Sequence, residues 1–248
     1  MPFTFAHAAY AYPIKRTAPR LFSPTGLVLG SMAPDFEYFV NLEPHVTIGH
    51  SVWGLLLHAL PLSVLLAILF HQVVKRQLAV HLPAAFGLDQ RAYQLLGKTG
   101  KLTSGTTWLL FLPSVAAGFL THVVLDAFTH QSGFAVLRWP QLQETALLSL
   151  PLYKCLQHGL SLFGLLVIAY VIAAALWRAS TERVIMPVVS ARRKISYWLL
   201  AVVVAALVTA IKLIAADSGN TLGILVVAPL SGFCLGLVLS SILFKRRT

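Results

Sequence analysis

Acidic side chains are scarce: Asp and Glu number 8 in 248 residues, and charged residues of every kind make up 11% of the chain. A soluble globular domain carries about 25% charged residues, so a fold kept in water by its surface charge is excluded. Cysteine is nearly absent. Cys155 and Cys234 can form at most one bridge, which rules out a disulfide framework and a zinc site built on thiolates. Any metal must therefore be held by histidine and carboxylate. A basic stripe interleaved with aromatics is missing too, so the 19 Lys and Arg do not read as a nucleic-acid footprint, and no nucleic-acid partner is expected.

What fills the chain is apolar, 57% of residues, with a mean hydropathy of +0.78. A transmembrane helix needs about 20 mostly apolar residues. Five stretches qualify, at about 51–73, 105–127, 158–177, 196–216 and 221–244. Lys75-Arg76, Arg178 and Lys245-Arg246-Arg247 close the first, third and fifth. The expected fold is all-α: a polytopic integral membrane helical bundle with about five transmembrane helices, its partners the membrane lipids. Leu21–Ala33 is apolar but short, holds Pro24 and Gly26 and stops at Pro34, which suits a re-entrant or interfacial helix. No internal repeat is visible. Residues 1–248 read as one membrane domain: an N-terminal motif segment at 1–50, site-bearing helices at 51–130 and three further spans within 158–244. Signal-peptide cleavage after Ala33 is disfavoured by Pro34, so the N-terminal segment is expected to be retained.

Cytoplasmic loops retain Lys and Arg. The loops after the first and third spans and the tail together carry thirteen, and the other side carries five, with Lys212 inside the fourth span. This asymmetry places the C-terminus in the cytoplasm and the N-terminal segment outside a bacterial inner membrane.

Because acids are few, their positions are informative. Asp35 and Glu37 share Gly-Ser-Met-Ala-Pro-Asp-Phe-Glu-Tyr-Phe (30–39), His50 lies in Gly-His-Ser as the first span opens, and Asp126 lies in Thr-His-Val-Val-Leu-Asp-Ala-Phe-Thr-His (121–130) as the second closes. The charge count puts these places, with His7, on the outer face. His122 and Asp126, at i and i+4, share one helical stripe and can reach one ion. On a straight helix His130 lies about 12 Å from His122 along the axis, out of reach of that ion. It then serves a second metal, binds substrate, or bends back near Gly133. Imidazoles and carboxylates without thiolates suit zinc, with manganese or iron as alternatives. An ion with an open position lowers the pKa of water there to about 7 and supplies a nucleophile.

The opening Met-Pro-Phe-Thr-Phe-Ala-His, the 30–39 block, Gly-His-Ser and His-x-x-x-Asp-x-x-x-His resemble a bacterial membrane-protein family catalogued as domain-of-unknown-function family 4184. More distantly, the order His, Pro-Asp, His-Ser, His-x-x-x-Asp is similar to membrane-bound metal-dependent hydrolases and zinc-dependent phospholipase C. That likeness implies zinc ligands at His7, Asp35, His50, His122 and Asp126, the last shared between ions. The phospholipases also carry a His-x-x-x-Glu pair. This chain offers only His130 and His158, so a full three-metal site is not implied.

Each residue also has a plainer reading. His122 and Asp126 could glue helices, Asp35 could start a turn, and Glu37 and His130 could orient ligands instead of binding metal. His45 reads as a loop residue, His71 and His81 as polar groups at span ends, and His58 as a packing donor. Trp53, Trp108, Trp139, Trp177 and Trp198 suit an interfacial belt, and Ser231, Gly232, Gly236, Ser240 and Ser241 a close-packing helix face. The sequence thus points to a metal-dependent hydrolase acting on a lipid or phosphoester, with Asp35 or Glu37 as proton acceptor. Its rivals are a non-catalytic protein stapled by a metal and, third, a metal or proton transporter.

Overall fold

An apolar run in hydrocarbon satisfies its backbone internally by forming a helix, and in the computed structural model every long apolar stretch is helical. The structure describes residues 3–45, 47–98, 104–181, 185–216 and 219–245. Met1 and Pro2 of the opening motif, and Lys101, Arg183, Arg246 and Arg247 of the charge count, lie outside them. Five helices are long and apolar enough to cross a membrane: Val52–His81, Gly105–Arg138, Leu152–Arg178, Ala191–Ala215 and Thr221–Leu243. The protein is an all-α polytopic membrane protein. Its spans expose Leu109, Leu120, Leu166, Tyr170 and Ile214 while His122 and Asp126 are buried, the reverse of a water-facing surface.

In chain order the helices are α1 (His7–Thr17), α2 (Pro24–Met32), α3 (Phe36–Asn41), α4 (Val52–His81), α5 (Leu88–Lys98), α6 (Gly105–Thr129), α7 (Phe134–Arg138), α8 (Leu152–Arg178), α9 (Ala191–Ala215) and α10 (Thr221–Leu243). A short antiparallel hairpin, β1 (Thr145–Leu147) and β2 (Leu150–Pro151), precedes α8. Two boundaries differ from the apolar runs. Helix α4 continues past residue 73 because Lys75, Arg76, Gln77, Leu78 and Ala79 are good helix formers, and it stops where Leu82 turns extended ahead of Pro83. Helix α8 begins at Leu152 instead of 158 because its first turns carry Tyr153, Lys154 and Gln157, which hydropathy does not score.

The fold divides into two compact units. The first takes Met1–Phe36, Ile48–Val64 and Thr103–Ile172. In it α1 and α2 form a helical hairpin packed on α6. Helix α2 is capped by Ser23, whose side chain accepts from Gly26 N, and it has Pro24 in its first turn. A Cβ on Gly30 would lie 2.1 Å from the Val115 carbonyl oxygen, and one on Gly118 2.4 Å from that of Leu27. Backbone therefore meets backbone across a small-residue face. The segment 21–33, expected as a short re-entrant or interfacial helix, is the second arm of this hairpin.

The second unit takes Glu37–Thr47, Leu65–Leu102 and Ala173–Thr248. Here the small face of α10 packs as expected: Gly232 and Gly236 lie against the backbone of Ala205 and Ala201, and Ser241 bonds the Tyr197 hydroxyl at 2.9 Å. Lys194 forms a buried ion pair with Asp89, and the Arg91 guanidinium collects the carbonyls of Leu176, Trp177 and Ala179. Lys212, inside the fourth span, is paired with Glu43 at 2.9 Å.

Candidate metal centre

Four segments of the first unit deliver the side chains. The turn Thr4–Ala6 leads into α1 and buries Thr4 and His7. Helix α8 holds this turn in place: Ser161 Oγ accepts from Phe3 N at 3.0 Å, and the Tyr10 hydroxyl donates to the Leu160 carbonyl at 2.6 Å. After α2 the chain tightens into a 3-10 turn at Ala33–Asp35. Pro34 cannot donate to the preceding ladder, and Asp35 is left fully buried. His50 precedes Ser51, whose hydroxyl caps α4 by accepting from Gly54 N at 3.0 Å. His122 and Asp126 lie one turn apart on α6.

All of these converge. His50 Nε2 and His122 Nε2 each stand 3.2 Å from Asp126 Oδ2, and 3.8 and 3.7 Å from Asp35 Oδ1. His7 Nε2 is 3.6 Å and His130 Nδ1 3.4 Å from the other Asp126 oxygen, Oδ1. The His7 ring stacks on His122, 3.7 Å between centroids. Two triads, His7/His122/Asp126 and Asp35/His50/His122, each place three ligand atoms within 4.8 Å of one another. Asp126 faces four imidazoles at once.

These residues fit a cation. Ligands about 2.0–2.1 Å from a tetrahedral ion lie about 3.4 Å apart, and the separations here run from 3.2 to 3.8 Å. Both nitrogens of His7, Asp35 Oδ1 and Asp126 Oδ1 are buried without a hydrogen-bond partner. Such groups cost about 1–3 kcal/mol each unless something fills the space between them. The surroundings aim the lone pairs inward. His122 Nδ1 donates to the Ser31 carbonyl at 2.7 Å, leaving Nε2 toward the cluster, and Thr4 Oγ1 donates to Asp35 Oδ2 at 2.6 Å, leaving Oδ1. Burial, with His122 beside it, pushes the His7 pKa down to about 3, so its ring is a neutral donor at physiological pH. Burial moves the Asp35 carboxyl upward, the direction that brings a carboxylate toward useful basicity.

Helix α6 ends at Thr129, and His130 is its extended cap, with φ −117° and ψ 142°. Its Nδ1 stands 3.4 Å from Asp126 Oδ1, the neighbour that a spacing of four supplies, and it belongs to neither triad. Glu37 is not drawn into either triad. It belongs to the second unit, where its two oxygens take the Thr47 amide and hydroxyl, both at 2.7 Å. Thr4 and the Ser31 carbonyl were missed by the sequence reading. Nothing in residue type marks a backbone carbonyl, and a lone threonine carries no pattern.

The family described as Domain of unknown function (DUF4184) matches residues 1–242. The chain belongs to the DUF4184 family. No match was found for this DUF4184 chain among curated proteins or among solved structures. His7, Asp35, His50, His122, Asp126 and His130 all fall within the span that the DUF4184 family covers.

Proposed function

We propose that this protein is a metal-dependent hydrolase of the bacterial inner membrane, with a zinc centre on the extracytoplasmic face acting on a lipid or phosphoester. Manganese and iron are the alternative ions. The observation that carries this reading is the pair of His/Asp triads that share His122, each with ligand atoms within 4.8 Å of one another and each including a buried atom without a hydrogen-bond partner. His7, Asp35, His50, His122 and Asp126 are the ligand set, divided between the triads His7/His122/Asp126 and Asp35/His50/His122, and either triad would hold an ion with three side chains. Bound there with a coordination position open, it would supply a Lewis acid and lower the pKa of water to about 7. His50 and His130 support catalysis over a purely structural staple: their side chains are 28% and 26% exposed, against 0–10% for the other residues of the cluster, so the centre is open on one side. With the ion in the His7/His122/Asp126 triad, Asp35 Oδ1, buried beside it, is the group to accept a proton, and Glu37 steadies residues 37–47 through Thr47.

The test is metal analysis of the purified protein joined to turnover. The protein should hold close to stoichiometric zinc, His122→Ala and Asp126→Ala should lose it, and the replete protein should release product from phospholipids or isoprenoid phosphates until chelated. Unchanged metal in both variants sinks the centre. A saturated centre without turnover leaves the staple reading in its place.

A further inference from the structure

Beside the centre, and within the same unit, lies a second polar feature that metal binding does not use. A cavity of about 380 Å³ is lined by His130, Gln131, Ser132, Tyr153, Lys154 and Gln157. Its volume is in the range of small-molecule sites. Among the described residues that line it there is no carboxylate.

Its wall carries the Lys154 ammonium and the Gln157 amide. Gln157 is 1% exposed, and its Oε1 takes the Lys154 ammonium at 2.9 Å. That bond fixes the amide so that Nε2, which has no partner, keeps its two hydrogens free. Lys154 retains two more. Tyr153 and Lys154 belong to the first turn of α8, the positive end of a 27-residue helix dipole. A buried amide donor without an acceptor is costly in an isolated fold, and here it sits with an ammonium and a helix N-terminus. His130 joins this wall to the centre, lining the cavity while its Nδ1 stands 3.4 Å from Asp126 Oδ1.

We infer that this cavity is the phosphate subsite of the centre, in which Lys154, Gln157 Nε2 and the first turn of α8 hold the oxygens of a phosphate group next to His130. The inference rests on the hydrolase reading for its purpose and narrows the substrate from lipid or phosphoester to a phosphorylated compound. The same chemistry would take the phosphate of a lipid headgroup or free phosphate.

Zinc-loaded full-length protein is titrated calorimetrically with inorganic phosphate and, separately, with a short-chain phosphatidic acid below its micellar concentration. The variants are Lys154→Met, Gln157→Leu and the conservative Lys154→Arg, each checked for zinc content. Phosphate should bind, with affinity falling at least about tenfold in the first two variants, holding within about threefold in the third, and with zinc content constant in all. Tighter binding of the lipid than of phosphate identifies the headgroup as the occupant, and equal binding identifies free phosphate. Binding that is absent, or unchanged by both removals, overturns the subsite. The two readings fail separately. If no phosphoester is turned over yet phosphate binding needs Lys154 and Gln157, the hydrolase falls and the subsite stands. If turnover proceeds with KM unchanged in both variants, the reverse holds.

Discussion

Thr4→Val is the substitution that most directly questions the centre without touching a ligand. The threonine hydroxyl donates to Asp35 Oδ2 at 2.6 Å, Thr4 is 8% exposed and Asp35 wholly buried, and valine reproduces the side-chain outline without the donor. A hydrogen bond to a charged group contributes about 1.5–3 kcal/mol, and about 1.4 kcal/mol is a factor of ten in affinity. The expected loss in zinc affinity is therefore about 10- to 100-fold, the range seen when an orienting partner is removed from a metal ligand. Competition with a chromophoric chelator in detergent measures it, alongside the melting temperature of the metal-free protein. Thr4→Ser should keep most of the affinity because it keeps the donor. The reasoning is refuted if Thr4→Val binds zinc within about twofold of wild type while the metal-free protein melts lower. The hydroxyl would then tie Thr4 to Asp35 for stability alone.

Two further outcomes are expected. Gly30→Ala puts a Cβ 2.1 Å from the Val115 carbonyl oxygen, backbone on both sides, and should cost about 1–3 kcal/mol or more in thermal unfolding. Gly159→Ala, with nothing within 4 Å, should be neutral or stabilise α8 by up to about 1 kcal/mol, and equal effects at the two sites would contradict the α2–α6 contact. An alkaline phosphatase fusion within the β1–β2 turn should be active and one at the C-terminal end inactive, as the thirteen-to-five Lys and Arg asymmetry requires; an active C-terminal fusion would reverse the proposed orientation.

The spans were legible because hydrocarbon imposes length and apolarity on the chain itself, and the His122/Asp126 pair because helical geometry turns a spacing of four into a shared stripe. The residues that failed to show were those whose role depends on where a helix stops or what it meets. The spacing alone left the course of the chain at His130 open, because where α6 ends, at Thr129, carries no sequence signal. Glu37 looked equivalent to Asp35 from its neighbours, yet its carboxylate is bound by Thr47. The α2–α6 contact had a signal, Gly26 and Gly30 four apart in an apolar segment, of which Gly26 alone entered the reading, as suiting a short re-entrant helix. The β1–β2 turn had none: Leu148 and Ser149 take positive φ of 51° and 60°, where hairpins ordinarily use Asn-Gly.

The glycine contact between α2 and α6 bears on how the protein is made. Thr4, His7, Ser31 and Asp35 leave the ribosome first, and Ser31 waits 91 residues for His122. The N-terminal hairpin with His7, and Asp35 just after it, are thus made before any of their later neighbours. Because Gly30 and Gly118 admit no side chain between the helices, the hairpin either lies flush on α6 or is not docked at all. Metal loading of the proposed centre would need the second span in place, because His122 and Asp126 come from it. A bound ion would mark the docking of this hairpin on α6, since every residue of the centre belongs to the first unit.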